Sequence, residues 1–128
     1  MPVHTVLGPI DPEDLGPTSM HEHIIIDCSE AFVEEGMTVI DENVTIARLG
    51  DLHWNAVSYI ANLRLDEPDI SINELKRVKS HGGQSIVDVT PVGLGRRVEQ
   101  LQQISSESDV NIILGVGIYR DPSHPDWV

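Results

Sequence analysis

Two imidazoles one residue apart, His21 and His23, stand at the head of the apolar run Ile24-Ile25-Ile26. In an extended strand side chains alternate between faces, so the two histidines share one face and Glu22 takes the other. Imidazole nitrogens bind zinc and similar ions well, and two on one rigid strand lose little freedom on coordination. Metal binding is the chemistry such a pair could do; two hydrogen-bonded histidines on a half-buried strand is the other reading. A zinc-protease helix is excluded, because His-Glu-x-x-His needs a histidine where Ile25 stands. No Ser-His-Asp or Cys-His arrangement has a local signature, and no catalytic acid, base or nucleophile is assignable. Cys28 is the only cysteine, which rules out an intrachain disulfide and a Cys-based zinc site. A small, buried apolar role is expected for it.

The elements that must position the pair read as alternating strands and helices, which predicts α/β architecture with a parallel sheet and crossover helices. A short strand is expected at Thr5 to Leu7, a turn at Asp11-Pro12-Glu13-Asp14, and the histidine strand from Ser19 to Ile26. Ser71-Ile72-Asn73-Glu74 fits a capping box, so a helix is predicted from Ser71 with Ile72, Leu75 and Val78 inward, ended by Gly82-Gly83. His81 would lie in its last turn, where a cation offsets the helix dipole. A second strand is expected from Ser85 to Thr90, a helix from about Arg96 with Val98, Leu101 and Ile104 on one face, and a third strand from Val110 to Val116. Asp88 and Thr90 share a strand face, either lining an interior near a metal or bonding to neighbouring strands. The connection from Asp27 to Ile70 is too long to be structureless, and Asp51 is expected to cap a helix bearing Leu52, Val57, Ile60 and Ala61. Asp121 to Val128 reads as loop. His4, His53 and His124 have no spacing that recruits them to a site.

Gly93-Leu94-Gly95-Arg96-Arg97-Val98 follows a strand and precedes a helix, but Val98 occupies the third glycine position of a dinucleotide fingerprint. A tight strand-to-helix turn is expected, whose free amides, with Arg96 and Arg97, could attract an anion.

Eight basic against twenty-one acidic residues give a formal net charge of -13, which disfavours nucleic acid and anionic membrane surfaces as partners. No apolar run approaches the roughly 18 residues of a membrane span, and the amino terminus lacks a basic-then-apolar secretory pattern. A soluble enzyme surface is the plainer reading, and a cytoplasmic location is expected.

Gly8-Pro9-Ile10 through Leu15-Gly16, followed by Thr18-Ser19-Met20-His21-Glu22-His23, resembles the amino-terminal signature of the phosphotriesterase-like group of the amidohydrolase superfamily. Ile86-Val87-Asp88-Val89-Thr90-Pro91 with Gly93-Leu94-Gly95-Arg96 looks like that family's second strand and turn, and Asn111 to Tyr119 like its third strand. Arg97 departs from the acidic residue that many relatives carry there. The resemblance implies the amino-terminal part of a TIM (β/α)8 barrel, about three parallel strands with crossover helices. A whole barrel typically needs about 250 residues, so residues 1 to 128 are expected to be an incomplete, amino-terminal piece.

The resemblance further implies a metal-dependent hydrolase in which two divalent ions, usually zinc, activate water against a lactone, another ester or an organophosphate triester. His21 and His23 would bind one ion, and Tyr119 would sit at the end of the third strand beside the metals as a substrate-binding residue of lactonase type. The remaining ligands, a bridging carboxylated lysine or glutamate, two more histidines and an aspartate, belong to later strands absent from this chain. Residues 1 to 128 alone are therefore expected to be catalytically silent, a weak metal binder, and prone to self-association through open strand edges. The alternatives are a non-catalytic truncated barrel module that self-associates, and a small anion-binding α/β domain built on the Gly93 to Arg97 turn.

Overall fold

Ser85 to Asp88 is β-branched or buried at nearly every position, as the middle strand of a parallel sheet must be when both its edges are paired. A computed structural model describes residues 1–119, 124, 126 and 127. In it β1 (Val3–Thr5) and β2 (Gly8–Ile10) form a hairpin, and β3 (Thr18–Glu22), β6 (Ser85–Asp88) and β7 (Asn111–Leu114) form the three-stranded sheet in the order β3-β6-β7. Both pairings of that sheet are parallel, as the strand-helix alternation predicts. Helix α3 (Pro68–Ser80) lies between β3 and β6 in sequence, and α4 (Val98–Ser108) between β6 and β7. Between β3 and α3 come β4 (Ile26–Asp27), α1 (Ser29–Phe32), α2 (Leu49–Trp54) and β5 (Arg64–Leu65), with β4 and β5 paired antiparallel.

The core forms where the helices meet the sheet. Ile72 and Leu75 of α3, Leu101 and Ile104 of α4, and Ile24, Ile25, Ile86, Val110 and Ile112 make one buried cluster. Val78 and Val98, expected on the same helix faces, are 38% and 37% exposed at the margins of that layer. Among the described residues no helix is long and apolar enough to cross a membrane.

Several boundaries differ from the sequence reading, each for a local physical reason. The strand expected at Thr5 to Leu7 is a turn between β1 and β2, held because the Thr5 hydroxyl donates to Gly8 O at 2.7 Å and accepts from Leu7 N at 3.2 Å. Helix α3 opens at Pro68 instead of Ser71, since proline's fixed φ and missing N–H suit the first helical position. Ser71 does not cap it; its hydroxyl donates to Ile24 O at 3.1 Å and ties the helix to the chain just beyond His23. At the other end Gly82 takes φ +91°, and its N–H and that of Gly83 bond back to Lys79 and Val78, closing the helix in a Schellman motif. His81 Nδ1 bonds Arg77 O at 2.8 Å, the structural role expected at that terminus.

The histidine strand is shorter than Ser19 to Ile26, because β6 ends at Asp88 and offers no further ladder partner. Strands two and three likewise stop at Asp88 and Leu114, short of Thr90 and Val116: Gly115 N–H makes the last ladder-like bond, to Asp88 O at 2.8 Å. The second helix begins at Val98 and not near Arg96, after a 3-10 turn over Val92–Leu94. Asp51 lies inside the first turn of α2 rather than capping it, beside Arg48 and the Tyr59 hydroxyl, while Val57, Ile60 and Ala61 fall beyond that helix. The loop expected from Asp121 to Val128 lies, apart from His124, Asp126 and Trp127, outside the described residues.

Candidate metal site

Strand β3 reaches its carboxyl end through a bulge. Ser19 faces Ile86 and Glu22 faces Asp88, so three steps on β3 oppose two on β6, and one extra residue is accommodated around Met20 and His21. Bulges bend a strand and re-aim its side chains. Here His21 and His23 both line one cleft of about 300 Å³, with their ring centroids 5.6 Å apart and their planes at 80°. Glu22 points away from it and accepts a hydrogen bond from the Ser19 hydroxyl at 2.6 Å, on the side toward α3.

The cleft is built at the carboxyl ends of all three parallel strands. Val89, Pro91 and Leu94 follow β6, and Gly115 to Tyr119 follow β7. Tyr119 stands 45% exposed against Phe32 of α1, centroids 6.2 Å apart, so the structure brings His21, His23 and Tyr119 together. Phe32 has no signal in the sequence, since the four-residue α1 shows no periodicity; Leu94 is found only through the turn that carries it. His4 and His53 take no part in the cleft.

Behind the histidines lies a buried polar frame. Asp88 and Thr90 are fully buried. The Asp88 carboxylate accepts from Ile24 N, just beyond the end of β3, at 2.9 Å and from Thr90 N at 2.8 Å. His23 Nδ1 is 2.9 Å from Thr90 Oγ1. The Arg96 guanidinium donates to Thr90 O and Gly115 O, so it stitches the two strand ends together and is not held out for an anion.

The chain after β4 closes over one side. Gly95 has φ +73°, and a Cβ there would come within about 3.0 Å of Asp27 Cβ, so only glycine allows this approach. Cys28 is half-buried beside Ile26, Ala31 and Leu94; burial, with Asp27 nearby, pushes its thiol up, in keeping with an apolar role. Burial also acts to raise the Asp27 carboxyl, but hydrogen bonds from the Ser29 hydroxyl and amide and the charge of Arg64, 2.9 Å away, outweigh it and hold the group below its ordinary value. A carboxyl depressed on folding adds stability that is present above its unfolded pKa and lost as pH falls through its folded one. Thermal melting should therefore drop as pH falls below about 4, and Asp27→Asn should flatten that part of the profile. An unchanged acid limb in the variant would show that the Asp27 contacts contribute nothing.

Two imidazoles fit half of a zinc site. Among the described residues no three His, Cys, Asp or Glu side chains gather into a metal-holding group, whereas a catalytic zinc generally takes three protein ligands and water.

Residues 1–128 match the phosphotriesterase family. The chain is similar to an N-acetyltaurine hydrolase from Dictyostelium discoideum, 33% identical with 98% of this chain and 40% of the relative covered. It is also similar to a phosphotriesterase-related protein from Nematostella vectensis, 38% identical over 94% of this chain and 37% of the relative. Among solved structures it superposes on a resiniferatoxin-binding protein from Rhodobacter sphaeroides with TM-score 0.88 and 34% identity, covering 98% of this chain and 36% of that one. A lactonase from Listeria monocytogenes aligns at TM-score 0.63 and 29% identity, covering 89% and 27%. The chain spans about two fifths or less of the length of these relatives.

Proposed function

Because the chain belongs to the phosphotriesterase family, we propose that the end of its β3 strand supplies the first two metal ligands, and the ends of its three parallel strands one wall of the substrate cleft, of a metal-dependent hydrolase. The observation that carries this reading is the pairing of His21 and His23 on one cleft at the carboxyl ends of parallel strands, the face on which barrel enzymes build active sites. A divalent ion held there, zinc by donor type, would lower the pKa of water and polarise an electrophile. The chain's own residues do the rest of what can be assigned to it. His21, in β3, and His23, just beyond its end, fix the donors on one short stretch of chain. Leu94, Ile118 and Tyr119, with Phe32 behind the ring, line one side of the cleft with apolar surface against which the acyl part of a substrate would pack. Relatives named as N-acetyltaurine hydrolase and lactonase support attack at a carbonyl carbon, in a small N-acyl amide or a lactone, ahead of a phosphotriester.

Residues 1–128 by themselves are proposed to be silent. Two ligands fall short of a catalytic set, and β3 and β7 end the sheet on both sides, beside exposed Met20, Val116 and Ile118, which favours self-association. The test is calorimetric titration of the chain with zinc, light scattering, and assays on a lactone, an N-acyl amide and a phosphotriester. Weak zinc binding that disappears in His21→Ala and in His23→Ala, without turnover, is the expected result. Robust histidine-dependent turnover by a monomer overturns the incomplete-site reading, and zinc binding indifferent to both histidines overturns the metal reading.

A further inference from the structure

The two histidines of the cleft are not held alike. Among the described residues no hydrogen bond holds the His21 ring, whose neighbour is the edge of His23. His23 is held from behind, with Nδ1 2.9 Å from Thr90 Oγ1, which leaves Nε2 as the only ring nitrogen free for the cleft. Thr90 itself cannot drift. It is fully buried, its N–H is bound by Asp88 Oδ1, and its carbonyl accepts from Arg96. The second oxygen of the same Asp88 carboxylate holds the N–H of Ile24, the residue after His23. One buried carboxylate thus fixes the backbone on both sides of the His23–Thr90 contact, and the distance between ring and hydroxyl is set by the frame.

We propose that Thr90 is the positioning residue of His23: its hydroxyl accepts the Nδ1 proton, which locks the Nδ1–H tautomer and turns an unprotonated Nε2 toward the cleft. The assignment of donor and acceptor rests on the metal reading, because a ligating nitrogen needs its lone pair. Ligating histidines are ordinarily oriented through their second nitrogen, and losing such a partner typically weakens metal binding about 10- to 100-fold. His23 is then the pre-set ligand, and His21 the adjustable one.

The test uses the 128-residue chain labelled with 15N-histidine, without metal and well above the usual imidazole titration range. Two-bond 1H–15N correlations report the tautomer directly. Wild-type His23 should show the Nδ1–H form, Thr90→Ser should keep it, and Thr90→Val should shift it toward the Nε2–H form that free histidine prefers. Wild-type His23 in the Nε2–H form overturns the proposal without recourse to any variant that might fold poorly. Zinc titration of the same three proteins should give binding about 10- to 100-fold weaker in Thr90→Val and near wild type in Thr90→Ser. Binding that needs His23 but is unaffected in Thr90→Val overturns the proposal. The expected tautomer pattern in a chain that binds no zinc supports the Thr90 role and sinks only the claim that these two histidines hold zinc by themselves.

Discussion

Replacing His21 or His23 by Ala in a complete barrel carrying this segment is expected to lower turnover by about 1,000-fold or more, equivalent to about 4 kcal/mol of lost transition-state stabilisation. The size follows from what the pair is proposed to hold: without the ion, water keeps its high bulk pKa and the electrophile loses its polarisation. The loss should not be a folding effect. His21 is exposed and His23 only half-buried, and neither belongs to the apolar cluster beneath the helices. The measurement is kcat/KM on a lactone and on a small N-acyl amide for both variants, beside circular dichroism and a chelator-treated control. Activity within tenfold of wild type in both variants, and indifferent to chelation, would remove the two histidines from the mechanism.

Asp88→Ala should be the most damaging single change to stability near the site, at about 2–6 kcal/mol, because it leaves two buried donors, Ile24 N and Thr90 N, without an acceptor. Asp88→Asn keeps one carbonyl acceptor and should fall between that variant and wild type. Glu74→Ala provides the contrast. It breaks an ion pair with Arg77 whose side chains are both well exposed, and such pairs contribute little. Urea midpoints should therefore move strongly for Asp88→Ala and barely for Glu74→Ala; equal shifts in the two would mean that the buried carboxylate bears no special share of the frame.

Local order is legible in the sequence. The parallel strand-helix alternation, Leu101 and Ile104, and the Gly82-Gly83 helix end all leave signals within a few residues. What a partner distant in the chain decides is not legible there. Nothing between Ser19 and Ile26 shows that the ladder will end at Glu22, since that depends on where β6 stops; the bulge is likewise a property of two strands in register. Ser71 carries a capping-box pattern, yet its hydroxyl is drawn to Ile24 O, 47 residues away. The long connection carries the weakest local signal. Helices of four and six residues fall below the length at which propensity alone sustains a helix, so contacts such as Phe32 with Tyr119 fix them instead.

The sheet register also orders events in time. Ser85 of β6 bonds to Asn111 of β7 across 26 residues, whereas the His23–Thr90 contact that joins the first strand's end to the second spans 67. Closing the longer loop costs about 0.8 kcal/mol more in chain entropy, and contacts of greater sequence separation form more slowly. The β6-α4-β7 unit is therefore expected to pair first, with the His23–Thr90 contact following. Until that contact forms the His23 ring lacks its partner on the second strand, so the fixed orientation of this imidazole, unlike its nearness to His21, is a late product of assembly.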